Sequence, residues 1–158
     1  MKAVQFEKFG EPLVVAELDT PTAPAGGVVV QVKAAGLCRS DWHAWQGHDP
    51  DITVFPHVPG HEFAGVVHEV GPGVSNLKVG DRAAYASNPP GSYSEVRVMP
   101  AKCVCRLPDA ISFDTGAAMM LKGLTAQYLL RRTQPQGGLQ AGDFVLFHAA
   151  AGGVGLIA

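Results

Sequence analysis

From residue 1 to about residue 108, apolar and polar positions alternate in short runs broken by Gly- and Pro-rich turns. Val28-Val29-Val30-Gln31-Val32-Lys33-Ala34 is one such run. Phe63-Ala64-Gly65-Val66-Val67-His68-Glu69-Val70 is a second, and Tyr93-Ser94-Glu95-Val96-Arg97-Val98 a third. The start, Met1-Lys2-Ala3-Val4-Gln5-Phe6, alternates in the same way. Successive strand side chains point to opposite faces, so this period predicts strands with one face in a core. Pro24-Ala25-Gly26-Gly27, Gly71-Pro72-Gly73, Gly80-Asp81 and Asn88-Pro89-Pro90-Gly91 supply the turns between them. Regularly spaced short strands predict a small barrel or sandwich.

The period changes after Leu107-Pro108-Asp109. Ser112-Phe113-Asp114 offers a helix N-cap with a carboxylate in the first turn. Ala118, Leu121, Leu124, Tyr128 and Leu129 then recur at helical spacing over residues 116–132, with Gly123 as a candidate break. A loop, Pro135-Gln136-Gly137-Gly138, leads through Ala141-Gly142-Asp143 to Phe144-Val145-Leu146-Phe147, which reads as a buried parallel strand. Gly152-Gly153-Val154-Gly155 follows, with Leu156-Ile157-Ala158 opening a helix. Strand, Gly-rich turn and helix form a phosphate-binding unit, because free N–H groups at the helix start point at the anion. The expected fold is mostly β over residues 1–108. Residues 109–158 are expected to hold linking helices and the first strand and turn of an incomplete α/β domain.

Composition narrows the function classes. An apolar fraction of 47% is enough for a core, and a formal net charge of −2 leaves no basic footprint for nucleic acid. No apolar run approaches the ~20 residues that cross a bilayer. Three cysteines argue against a disulfide framework, and the N-terminus lacks the apolar block of a signal peptide. The expected setting is cytoplasmic, with no membrane or nucleic-acid partner.

Two sets of motifs carry a resemblance. Gly36-Leu37-Cys38-Arg39-Ser40-Asp41, Pro59-Gly60-His61-Glu62, Gly71-Pro72-Gly73-Val74 and Val79-Gly80-Asp81-Arg82 resemble the zinc-dependent alcohol dehydrogenases of the medium-chain dehydrogenase/reductase superfamily. Gly91-Ser92-Tyr93-Ser94-Glu95, Leu121-Lys122-Gly123-Leu124-Thr125 and Phe147-His148-Ala149-Ala150-Ala151-Gly152-Gly153-Val154-Gly155 resemble the zinc-free quinone oxidoreductases. The resemblance implies a GroES-like barrel followed by the start of a Rossmann domain.

It also implies site residues. Cys38, His61 and Glu62 match metal-binding positions, but Leu121 stands where the zinc enzymes place a further cysteine. Two certain ligands fall short of the three that a catalytic zinc usually takes, so zinc stays open. A structural zinc lacks its four-cysteine lobe. Cys103 and Cys105, one residue apart on an expected strand, read as buried small hydrophobes on opposite faces. Ser40 is expected to touch the substrate oxygen and pass its proton towards His43, with Arg39 on the cofactor pyrophosphate. Ser40 and Asp41 have a plainer alternative as caps of a helix containing Trp42 and His43.

For the cofactor, Gly152 and Gly153 are expected to approach the pyrophosphate and Gly155 to let helix and strand pack. Lys122 and Thr125 are expected on the nicotinamide side. NADPH is the implied cofactor, with NADH possible. The resulting expectation is hydride transfer to a small carbonyl or quinone, as in a quinone or enone reductase, with negligible turnover by these 158 residues alone. The alternatives are a zinc alcohol dehydrogenase acting on an alcohol and a non-catalytic binding module. A homodimer is expected only with a completed Rossmann domain.

Overall fold

The computed structural model describes residues 1–133 and 138–158. The expected loop at Pro135, Gln136 and Gly137 lies outside them. The described chain divides into two compact units, Met1–Ala118 and Met119–Ala158.

The first unit is built on antiparallel strands. β1 (Lys2–Gln5) pairs with β2 (Val14–Glu17). The main sheet has the order β6-β3-β4-β5-β7, formed by β3 (Gly27–Ala35), β4 (Glu62–Val70), β5 (Arg82–Ala86), β6 (Val96–Pro100) and β7 (Cys105–Arg106). Between β3 and β4 runs a short helix, α1 (Arg39–Trp45). β3 is an interior strand, and its Val28, Val29 and Val30 are buried in succession rather than alternately. Phe63, Val67, Ala83, Tyr85 and Met99 close the core against them. Burying side chains of this size contributes roughly 1.5–3 kcal/mol each, the dominant favourable term here.

The third expected strand is displaced. Residues 93–95 bond to β1, with Val4 N–H donating to the Tyr93 carbonyl at 2.8 Å and Glu95 N–H to that of Lys2 at 2.9 Å, while the Glu95 carbonyl accepts from Val32 N–H of β3 at 2.9 Å. This switch stitches the small sheet to the large one. Cys103 and Cys105 do not share a strand, since Cys103 ends a 3₁₀ turn (Ala101–Cys103) and Cys105 begins β7. Both residues are exposed, correcting the buried reading. Ala101 and Val104 fill the core in their place.

α2 (Phe113–Arg131) begins as expected, with Ser112 Oγ accepting from Thr115 N–H at 3.1 Å. Gly123 does not break it. No neighbour stands within 4 Å of a Cβ at Gly123, and glycine inside a helix costs only about 1 kcal/mol against alanine. Residues 144–147 form no strand: Phe144 and Leu146 are fully and largely exposed. A strand exists only through its ladder, and no described segment pairs with this one.

Candidate functional site

Asp41 is the hub of the first unit's polar cluster. As the third residue of α1, its Oδ2 accepts the Cys38 N–H at 2.9 Å, so the expected capping role is real. The same oxygen accepts the Tyr93 hydroxyl at 2.9 Å, and Oδ1 meets His61 Nδ1 at 2.8 Å. One buried carboxylate thereby ties together α1, the residue preceding β4 and the crossover segment before β6. Burial pushes Asp41 upward, but the His61 hydrogen bond, the Cys38 amide and the Tyr93 hydroxyl outweigh it and hold the carboxyl below its usual range. Asp41 in turn raises His61 above the ordinary imidazole value against the opposing effect of burial. Burial, and then the Asp41 charge, push the Tyr93 phenol well up.

The other face of His61 is less satisfied. Its Nε2 is buried and forms no hydrogen bond. Cys38 interacts with that imidazole without completing a bond, and its thiol instead donates to Ser40 Oγ at 3.7 Å. Burial raises the Cys38 thiol, yet the Ser40 amide, the Ser40 hydroxyl and His61 together bring it below its ordinary value. Cys38 also lines an open cavity of about 730 Å³ whose walls include Leu13, Leu37, Trp42, Trp45 and Tyr93.

Backbone geometry sets this arrangement. Gly60 has φ +93°, and a Cβ there would fall 2.3 Å from Ser92 Oγ and 2.6 Å from the Tyr93 ring. Its carbonyl accepts from Gly91 N–H and Ser92 N–H, at 2.7 and 3.1 Å. Tyr93 is therefore delivered to Asp41 by a chain crossing that only glycine permits.

The remaining expected residues are distributed differently. Arg39 stacks its guanidinium over Trp42 at 5.2 Å and lines the same cavity. His43 is exposed and faces His48, with Nδ1 to Nδ1 at 3.3 Å. Glu62 is fully buried against the Gly36 backbone, where a Cβ would meet its Oε1 at 2.3 Å. A zinc site does not fit: among the described residues no three His, Cys, Asp or Glu side chains are grouped to hold a metal. This corrects the Cys38, His61 and Glu62 ligand set, because Glu62 is committed to packing beneath Gly36. Tyr93 was missed as a site residue, since its alternation reads only as strand.

In the second unit, the turn at residues 149–155 is compact. Gly152 N–H donates to the Ala149 carbonyl at 2.8 Å, and Leu156 N–H to that of Gly152 at 2.9 Å, which starts a helical turn. A Cβ at Gly155 would strike the Ala150 carbonyl oxygen at 2.3 Å, so only glycine fits. At Gly152 a Cβ would lie 3.0 Å from the Ala149 carbonyl oxygen. The Lys122 stem lies against Gly153, 2.7 Å from an added Cβ, so two expected cofactor residues are adjacent. Thr125 Oγ1 donates to the Leu121 carbonyl in its own helix at 2.8 Å. These residues fit a dinucleotide phosphate group.

Residues 24–109 match the Alcohol dehydrogenase GroES-like domain, and the chain belongs to this family within the medium-chain dehydrogenase/reductase superfamily. It is 46% identical over 159 aligned positions to a quinone oxidoreductase of Pseudomonas aeruginosa, covering 99% of this chain and 48% of that protein. An alcohol dehydrogenase of Geobacillus stearothermophilus is 34% identical, with 100% and 53% covered. The crystal structure of Escherichia coli quinone oxidoreductase complexed with NADPH superposes with a TM-score of 0.90 at 40% identity, covering 99% of this chain and 47% of that one. The chain thus spans about half the length of the curated relatives it matches.

Proposed function

We propose that the chain is part of an NADPH-dependent oxidoreductase that transfers hydride to a quinone or enone. The observation that carries this reading is the 46% identity to a quinone oxidoreductase across 99% of the chain. Supporting it, Gly155 sits where no side chain fits, as the close packing of a pyrophosphate-binding turn requires. NADPH is preferred because a structural neighbour is complexed with it, and NADH remains an alternative ligand for the same turn. A nicotinamide, when bound, supplies the hydride. Gly153 is proposed to offer its N–H to the pyrophosphate, with the Lys122 stem beside it. Ser40 presents a hydroxyl able to donate to the acceptor oxygen. Arg39 and His43 are proposed as further contacts of cofactor phosphate and proton. The domain reading, a barrel through residue 108 followed by the start of a Rossmann domain, belongs to this proposal, as does a cytoplasmic setting. Among the described residues no helix is long and apolar enough to cross a membrane.

A second reading, a zinc alcohol dehydrogenase, is favoured by the neighbouring Cys38 and His61 and by the Geobacillus relative. It is disfavoured because, among the described residues, no third ligand joins them. The test is an NADPH fluorescence titration of the purified chain, with zinc content measured on the same sample. Saturable binding that Gly155→Val abolishes is the expected result. A folded chain that binds no NADPH, or one carrying stoichiometric zinc, overturns the first reading. Quinone turnover by the 158-residue chain alone is expected to stay at the level of a no-protein control.

A further inference from the structure

The end of α1 brings two exposed imidazoles face to face. His43 lies in the last turn of the helix and His48 just beyond it. The backbone joining them is fixed: His48 N–H donates to the His43 carbonyl at 3.0 Å and Gly47 N–H to that of Ala44 at 3.0 Å. Gly47 has φ +82°, which favours glycine, and sits against the Phe9 ring. The Trp45 carbonyl accepts from Gly10 N–H at 2.9 Å and the Trp45 indole donates to the Glu11 carbonyl at 2.6 Å, tying this corner to the segment before β2. Nδ1 of His43 and Nδ1 of His48 are 3.3 Å apart, with ring centroids 5.6 Å apart. That separation is long for a hydrogen bond, whose N–H donors stand about 2.7–3.2 Å from an oxygen acceptor. It matches the edge of a metal tetrahedron: with Zn–N of about 2.0–2.1 Å, two bound nitrogens lie about 3.3–3.4 Å apart. A square-planar ion with similar bonds would set neighbouring nitrogens only about 2.9 Å apart. In a tetrahedral chelate the ring centroids come to about 5.3 Å, so a small swing of two exposed rings aims both lone pairs at one ion.

We infer that His43 and His48 form a surface chelate for a divalent transition-metal ion of tetrahedral preference, Zn²⁺ or Co²⁺, with water completing the coordination. Neutral imidazole is a donor that suits such ions, and the exposure of both rings provides the entry path and room for the waters. Asp49 and Asp51 follow in the same loop and favour a cation, against Arg39 one turn before His43. The Trp42 ring flanks the pair, its centroid 5.0 Å from that of His43 and 6.4 Å from that of His48. The chelate shares no residue with Cys38, His61 and Glu62. Two protein ligands hold an ion reversibly, unlike the three with which a zinc alcohol dehydrogenase would retain its metal through purification. The inference is independent of the hydride-transfer reading, because it needs neither nicotinamide nor substrate.

The test strips the intact chain with a chelator, titrates it with Co²⁺ and follows tryptophan fluorescence, which a paramagnetic ion beside Trp42 quenches. The expected result is saturable quenching at one ion per chain that Zn²⁺ reverses by displacement. His48→Gln and His43→Gln should each weaken binding by at least about tenfold, since each removes one of the two ligands. Both side chains are exposed, so unchanged circular dichroism is expected in both variants. Cys38→Ser should leave the Co²⁺ midpoint within about twofold of the wild type, because the two sites share no ligand. Three results overturn the proposal. One is no saturable quenching below about 1 mM Co²⁺. Another is wild-type binding by either folded histidine variant. The third is loss of binding in Cys38→Ser, which would place the ion at Cys38 and His61 instead.

Discussion

Asp41 satisfies a backbone amide, an imidazole and a phenol with two oxygens, and each partner belongs to a different part of the chain. The pair with His61 has a definite pH signature. Because the folded state raises the His61 pKa, the stability from protonated His61 is fully present below about pH 6.5 and is lost as pH rises through the folded value. Asp41 acts in the opposite direction: its lowered pKa gives stability above about pH 3.9 that is lost as pH falls through the depressed value. His57, whose pKa burial lowers first of all, opposes His61 by destabilising the fold below about pH 6.5. The difference in thermal midpoint between the wild type and His61→Gln isolates one residue from the other. That difference should shrink as pH rises from about 6 to about 9. A difference that stays flat over this range would show that His61 is not charged in the fold at any of these values.

Gly60 shows how a turn can decide which side chains meet. Its φ of +93° disfavours any side chain, and an added Cβ has Ser92 Oγ and the Tyr93 ring within 2.6 Å. Gly60→Ala should therefore cost about 2 kcal/mol or more, read as a lower urea midpoint. It should also loosen the Tyr93 hydroxyl from Asp41, visible as a fall of the tyrosine titration towards the ordinary phenol range. A midpoint unchanged within error would mean that the crossing tolerates a side chain. The strands at β1, β3 and β4 were legible from alternation, and α2 from its apolar spacing and Ser112 cap. In β1 the local period coincides with burial, whereas β3 and β4 are buried in runs and the α2 positions Leu124, Tyr128 and Leu129 are exposed. The transfer of residues 93–95 to β1 was not legible, since alternation fixes which face a residue takes but not which strand it joins. Cys38 and His61 were legible as a pair by resemblance. The part Tyr93 plays was not, because it depends on that transfer.

The two compact units differ in how their apolar residues are used. In Met1–Ala118, Val28, Val30, Phe63 and Met99 are fully buried in the main sheet. In Met119–Ala158, Phe144, Leu146 and Leu156 are 102%, 86% and 76% exposed. The apolar run at residues 144–147 was readable as a strand, yet strand identity is not a property of the run itself. It depends on neighbours that accept and donate along the ladder, and no described segment provides them. Proteases need an extended, unprotected backbone, so this contrast predicts an order of cutting. Limited chymotrypsin digestion should cleave first after Phe144, Leu146 or Phe147, while Phe63 and Tyr85 stay protected in the main sheet. The rates at the two sets should differ by more than about a hundredfold if the main sheet opens only through unfolding of several kcal/mol. Early cuts at Phe63 or Tyr85, on the timescale of those at residues 144–147, would mean that the main sheet is no better protected than the unpaired run. The order is informative about the cofactor turn as well, because residues 149–155 follow the unpaired run directly. NADPH bound across Gly152 and Gly153 should slow cleavage at residues 144–147 and leave the main-sheet sites unchanged, since only the first set adjoins the turn.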